Sequence, residues 1–124
     1  MKNYNLGTEH HEQATLIQWA QLNMKAIPEL DNLFAIPNGG MRHPAIAAQL
    51  KAEGVKPGVS DLFLSYPSNG KHGLYIEMKR RAKSQTSEEQ TAWIKKQRRN
   101  GYAAEVCKGW EEAKNVIINY LKKA

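Results

Sequence analysis

One cysteine, Cys107, stands in 124 residues. A lone thiol excludes an intramolecular disulfide and a cysteine zinc cluster built from one chain. It fits a reducing, intracellular setting, and the expected location is cytoplasmic. Nor is there an apolar run near the ~18–20 residues that cross a bilayer, so no membrane partner is expected. The opening Met1-Lys2-Asn3-Tyr4-Asn5 has no apolar core, so no secretory signal is expected. The four histidines, His10, His11, His43 and His72, lack the paired spacing of a four-ligand zinc site. His72 falls in a connection that reads as able to touch a polyanion.

Acids are the minority charge. Twelve Asp and Glu face eighteen Lys and Arg, a net charge of +6. Such a surplus in an intracellular domain points to polyanions, nucleic acid first. The basic residues cluster at Lys79-Arg80-Arg81-Lys83, at Lys95-Lys96-Arg98-Arg99 and at Lys122-Lys123. Lys56, Arg80, Arg81, Lys83 and Lys95 are the candidate phosphate contacts, to be weighed against plain solvation of a surface. The length suits one domain with a modest core, 1–124, and no linker or repeat divides it.

Thr8 reads as an N-cap with Glu9 and Glu12 in the first turn. Ala14, Ile17, Ala20 or Gln21, and Met24 then recur at helical spacing, so a helix is expected from Glu9 to Lys25, ended by Pro28. Leu33-Phe34-Ala35-Ile36 reads as a short strand and Pro37-Asn38-Gly39-Gly40 as a loop. Asn38 there either borders a site or only turns the chain. Pro44 opens a second helix to Glu53, stopped by Gly54.

Asp61 to Ser65 and Leu74 to Lys79 read as two strands. A later helix is capped by Thr86 or Ser87, with Thr86 and Glu89 matching a capping box. It carries Trp93, Ile94 and Gln97 and stops at Asn100-Gly101. A strand at Ala103–Cys107 and a helix from Trp110 complete the order α, β, α, β, β, α, β, α, a mixed sheet flanked by helices. Trp19, Trp93 and Trp110 read as core or interface aromatics and Cys107 as inert packing.

The chemistry lies in the middle pair of strands. Side chains two apart on a strand share a face, so Glu77 and Lys79 point one way while Ile76 and Met78 point the other. Pairing Asp61 with Glu77 centres a hairpin on residue 69, where Asn69-Gly70 supplies a strong turn signal. The two carboxylates would then face each other with Cβ atoms roughly 4.5–5.5 Å apart. Like charges at that range repel, and a divalent cation between them relieves the repulsion. Two acids and a lysine suit phosphodiester hydrolysis. Mg²⁺ takes oxygen ligands and keeps waters, a bound metal activates water and polarises phosphate, and Lys79 offsets developing charge. The Met78 carbonyl is a further candidate ligand. Read blandly, the same residues form a cross-strand cluster with Lys79 paired to Glu77.

Pro57-Gly58-Val59-Ser60-Asp61 followed by Glu77-Met78-Lys79 resembles the PD-(D/E)xK nuclease superfamily. The wider pattern resembles its virus-type replication-repair nuclease (VRR-NUC) branch. It includes Glu9-His10-His11-Glu12-Gln13 with Trp19, and Ile36-Pro37-Asn38-Gly39-Gly40. Leu50 to Asp61, Gly73 to Lys79, Ser87-Glu88-Glu89-Gln90 with Trp93, and Gly101-Tyr102 complete it.

The resemblance covers nearly the whole chain. It implies an α/β restriction-endonuclease-like core in a stand-alone nuclease domain that uses Mg²⁺ or Mn²⁺ to cleave DNA phosphodiesters. Asp61 and Glu77 match the metal-binding acids, Lys79 the catalytic lysine, and Gln90 the glutamine that opens the following helix. A further acid comes from the first helix, either Glu9 or Glu12. The resemblance also implies a homodimer acting on branched DNA, four-way junctions included, in a phage or bacterial setting. The rival expectation is a DNA-binding module without hydrolysis, in which the acids are structural.

Overall fold

The structure, a computed structural model, describes residues 7–37 and 43–123. Asn38-Gly39-Gly40, with the role read for Asn38, lies outside the described residues. Helix α1 spans Glu9–Asn23, and a 3-10 helix at Pro28–Asn32 leads into strand β1, Leu33–Ala35. Helix α2 spans Pro44–Ala52, β2 Leu62–Leu64 and β3 Leu74–Lys79. Helix α3 spans Glu88–Arg99, β4 Ala103–Lys108 and α4 Trp110–Leu121. This is the expected order with the 3-10 helix added. The strands lie side by side as β1-β2-β3-β4. The first two pairings are antiparallel and β3–β4 is parallel, α3 being the crossover.

The hairpin register matches the expectation. Leu62 pairs with Ile76, Phe63 with Tyr75 and Leu64 with Leu74. Continuing that register one step sets Asp61 opposite Glu77. The tip follows a different register, since Ser68 pairs with Lys71 around Asn69 (φ 51°) and Gly70 (φ 81°). Both central residues take positive φ, as a primed hairpin turn requires. The arm from β2 to the tip therefore carries one residue more than the returning arm. Asn69 secures this tip to the end of α4, donating from Nδ2 to the Lys122 carbonyl at 2.6 Å. Tyr120 donates from its hydroxyl to the Tyr66 carbonyl at 2.6 Å.

The two faces of the sheet differ. Leu62, Leu64, Leu74, Ile76 and Met78 are at most 1% exposed and pack with Leu16 and Ala20 of α1 and Ala113 and Ile117 of α4. Each such burial contributes about 1.5–3 kcal/mol. The opposite face carries Phe63, Tyr75, Glu77 and Lys79 and receives α3, with Trp93 edge-on to Tyr75 at 5.5 Å. Arg98 of α3 clasps the Ala104 carbonyl of β4 through Nε at 3.0 Å and Nη2 at 2.7 Å.

Three local expectations are corrected. The fully buried stripe of α1 is Glu12, Leu16 and Ala20, while Ile17 packs partly buried against the core and Ala14 and Met24 are half-buried. The helix meets α4 along a narrow seam, and a polar residue anchors its first turn. Pro28 opens the 3-10 helix rather than merely ending α1. The capping box of α3 is Ser87 with Gln90, not Thr86 with Glu89.

Candidate active site

Asp61 precedes β2 by one residue and Glu77 lies near the end of β3. The Asp61 Oδ2 accepts from the Met78 backbone N–H at 2.7 Å, and its own carbonyl accepts from the Ile36 N–H at 2.8 Å. Asp61 is thus held where the β2–β3 ladder stops, beside the stretch of β3 past Ile76 that β2 does not reach. In an extended strand a residue's N–H and C=O leave by the same edge. The Met78 carbonyl therefore points to the side where Asp61 lies.

Glu77 is 2% exposed. Its Oε2 accepts from Gln90 Nε2 at 2.8 Å and lies 3.8 Å from Lys79 Nζ. Its Oε1 is buried and has no donor among the described residues. The Asp61 carboxyl lies close by, and two ionised carboxylates are both acceptors. A hydrogen bond joins them only when one carries a proton. Burial, and then the Asp61 charge, push the Glu77 carboxyl up to about 8, while Lys79 acts in the opposite sense and Glu9 adds to the rise. Burial disfavours the charged form, and a neighbouring like charge does the same.

Gln90 joins the parts. As the third residue of α3 it completes the helix cap: its backbone N–H donates to Ser87 Oγ at 3.1 Å and its Oε1 accepts from the Ser87 N–H at 3.0 Å. The same Oε1 accepts from Lys79 Nζ at 2.9 Å. One amide thus caps a helix, holds the lysine and donates to Glu77. Its position depends on Gly58, which has φ 87°. A Cβ there would lie 2.5 Å from the Glu89 carbonyl carbon and oxygen. The Pro57-Gly58 turn packs directly against the first turn of α3, which explains a glycine just before Asp61.

The first-helix acids separate. Glu9 is exposed at the start of α1, and its charge reaches Glu77. Glu12 is 4% exposed and engaged elsewhere. Its Oε1 accepts from the Trp110 N–H, the first of α4, at 2.8 Å, and its Oε2 lies 3.4 Å from Arg81 Nε. Arg81 also reaches Glu111 at 2.9 Å. Glu12 therefore ties α1 to the N-terminus of α4, where an anion suits the helix dipole. The 98-residue separation of Glu12 from Trp110 left no sequence signal. Ser87, one of the two expected caps, is the one the structure uses, and its pairing with Gln90 was readable because Ser87-Glu88-Glu89-Gln90 is itself a capping-box pattern.

Of the other basic residues, Lys56, Arg80, Lys83 and Lys95 are exposed, with Arg80 Nε donating to the Lys83 carbonyl at 3.1 Å. Lys56 shares a surface hollow with Lys96 and Arg99 of α3. Lys95 lies on the other side of α3, facing β4 residues Glu105 and Val106. His43 is a helix cap, accepting from the Ala45 N–H through Nδ1 at 3.1 Å. Cys107 is fully buried, and burial raises its thiol to about 12. Among the described residues, no three or more His, Cys, Asp or Glu form a metal-holding group, and no helix is long and apolar enough to cross a membrane.

The model of the VRR-NUC domain matches residues 5–111. The chain belongs to the VRR-NUC family. A solved VRR-NUC domain protein is 31% identical, with a TM-score of 0.77 over 91% of this chain and 87% of that one. Comparison with curated proteins gives no match. The four helices and mixed four-stranded sheet are an α/β, restriction-endonuclease-like core. VRR-NUC membership implies a nuclease-type function, and with it DNA binding.

Proposed function

We propose that this VRR-NUC chain is a Mg²⁺- or Mn²⁺-dependent deoxyribonuclease that hydrolyses phosphodiester bonds. The observation that carries the reading is Glu77 Oε1, a buried acceptor without a donor among the described residues, beside a second carboxylate. Such a group is costly to keep ionised unless a cation joins it. Mg²⁺ is commonly held by one or two carboxylates and completed by waters, so a two-acid set fits without a third side chain. Asp61 and Glu77 would hold the ion with the Met78 carbonyl, and Glu9 is the helix acid whose charge reaches Glu77. When bound, the metal supplies an activated water and a polarised phosphate oxygen.

The chain's own residues do the rest. Gln90 keeps Lys79 Nζ beside Glu77 without letting the two close into a tight pair. Lys79 then remains available to charge developing on the phosphate. Lys56, Arg80, Lys83 and Lys95 would hold flanking phosphates, while Arg81 is partly committed to Glu12 and Glu111. The family resemblance supports branched DNA, four-way junctions included, and a homodimer. A two-fold axis would present two sites to two strands.

The test is a panel of linear, flap and four-way-junction DNAs with Mn²⁺ or Mg²⁺. We expect cleavage that needs the metal and is lost in Asp61→Ala and Glu77→Ala. Cleavage that persists in both variants contradicts the assignment. Binding without cleavage by the unaltered chain makes it a DNA-binding module instead.

A further inference from the structure

A cavity of about 350 Å³ opens between α2 and the first turn of α3. It lies next to the acid–lysine cluster, because Gln90 lines it as well. Leu50, Val55 and Val59 give it an apolar lining, and Lys51 and Lys56 stand at it with no acid among the described lining residues. Neither lysine is paired with a carboxylate among the described residues.

Helix α2 is unusual beside the cavity. It has Pro44, Ala45, Ile46, Ala47, Ala48 and Leu50 within nine residues, yet none of its residues is buried. Ordinarily an apolar helix is spent on a core. Here Ala47 and Leu50 are half-buried against the cavity.

We propose that this cavity is a nucleotide subsite, a reading that rests on the nuclease function above. It takes the base and sugar of one deoxynucleotide next to the scissile phosphate, with Lys51 and Lys56 on the adjoining phosphates. The volume falls at the lower end of the about 300–1,000 Å³ of small-ligand sites, room for one nucleoside and not for a base pair. Apolar walls with two unpaired cations complement a flat apolar base joined to an anionic backbone. The nucleotide in this cavity is unpaired, so the subsite favours DNA with an unpaired residue at the cut. Gln90 passes its occupancy to Lys79 and Glu77, since this residue lines the cavity and bonds to both side chains.

The experiment crosses a change in the DNA with a change in the cavity. The cut made by the unaltered chain with Mn²⁺ is mapped. Substrates are then made with an abasic residue at each nucleotide flanking it in turn. We expect KM to rise about tenfold at one position, the loss of one buried apolar contact. Ala47→Trp, which fills the cavity, should raise KM for intact DNA similarly and be indifferent to the abasic residue. Lys51→Ala combined with Lys56→Ala alters only exposed side chains. It should raise KM and flatten its salt dependence, which keeps the test open if Ala47→Trp does not fold.

Cleavage by the unaltered chain that ignores every abasic position overturns the subsite and leaves the nuclease reading standing. No cleavage of any DNA overturns the nuclease reading. The subsite is then decided by titrating a fluorescein-labelled single strand in Ca²⁺. Equal affinity of the unaltered chain and both variants removes the proposal.

Discussion

Gln90 donates its side-chain amide to Glu77 Oε2 at 2.8 Å. The same residue caps α3 and accepts from Lys79 Nζ. A helix start, a lysine and a buried acid thus share one amide. Replacing Gln90 with Leu removes one bond of the capping box, that from the Ser87 N–H, and keeps the bond of the residue-90 backbone N–H to Ser87 Oγ, a loss of about 0.5–1.5 kcal/mol. It also lets Lys79 close onto Glu77 from its present 3.8 Å. Loss of a group that orients ligands typically costs about 10–100-fold. We expect that fall in kcat for Gln90→Leu in a steady-state cleavage assay, with a small drop in melting temperature.

Glu77 makes the metal-free protein pH-sensitive. Its carboxyl sits well above the ordinary 4.5 when folded, up to about 8, because of burial and then Asp61. An acid that holds its proton more tightly when folded favours folding at low pH. Its contribution is fully present below the ordinary value and is lost as pH rises through about 8. In EDTA, the melting temperature should fall between pH 5 and 8 by roughly the linkage slope of one proton, and the slope should shrink in Glu77→Gln. On the proposed function Mn²⁺ joins the ionised pair, so the stabilisation it gives should grow over the same interval.

Glu9 and Glu12 should separate in experiment. Glu12→Ala leaves the Trp110 N–H and Arg81 without their buried acceptor, a loss of about 1–3 kcal/mol. Glu9→Ala, at an exposed position, should leave the melting temperature nearly unchanged and weaken Mn²⁺ binding. Denaturant titration and calorimetry on the two variants read this out. The opposite pattern would move the metal ligand to Glu12.

Gly58 joins the Asp61 turn to α3. Ala at that position meets both a positive φ and a 2.5 Å contact with the Glu89 backbone. We expect Gly58→Ala to destabilise by about 1–3 kcal/mol. It should also lower activity beyond the loss of folded protein, because Gln90 follows Glu89. Chemical denaturation together with kcat per folded molecule measures both effects.

The central hairpin was legible through local signals, alternation in Leu74–Lys79 and an Asn-Gly turn pair, although the extra residue between β2 and the tip means that the turn alone does not set the β2–β3 register. Helix ends were legible for the same reason, with Thr8, Pro44 and Gly54 each acting within a few residues. The Ser87–Gln90 cap was misread as Thr86–Glu89 because two overlapping patterns satisfy one local rule, and the contact of Gln90 with Glu77 and Lys79 decides between them. Contacts between distant segments left no local trace. Glu12 on Trp110, the tip on Lys122 and the cavity under α2 arise only when elements far apart in the chain meet. Gln90 and the site role of a first-helix acid were named through resemblance. The residues alone gave two carboxylates and a lysine.

The most direct measurement is calorimetric titration of Mn²⁺ into the unaltered chain and into Asp61→Asn and Glu77→Gln, at pH 8 and in two buffers of different ionisation enthalpy. We expect saturable binding to the unaltered chain, with a buffer-dependent heat that reports proton release from Glu77. Both isosteric variants should fold and lose that binding. Mn²⁺ binding of equal strength in all three proteins would contradict a cation held between Asp61 and Glu77.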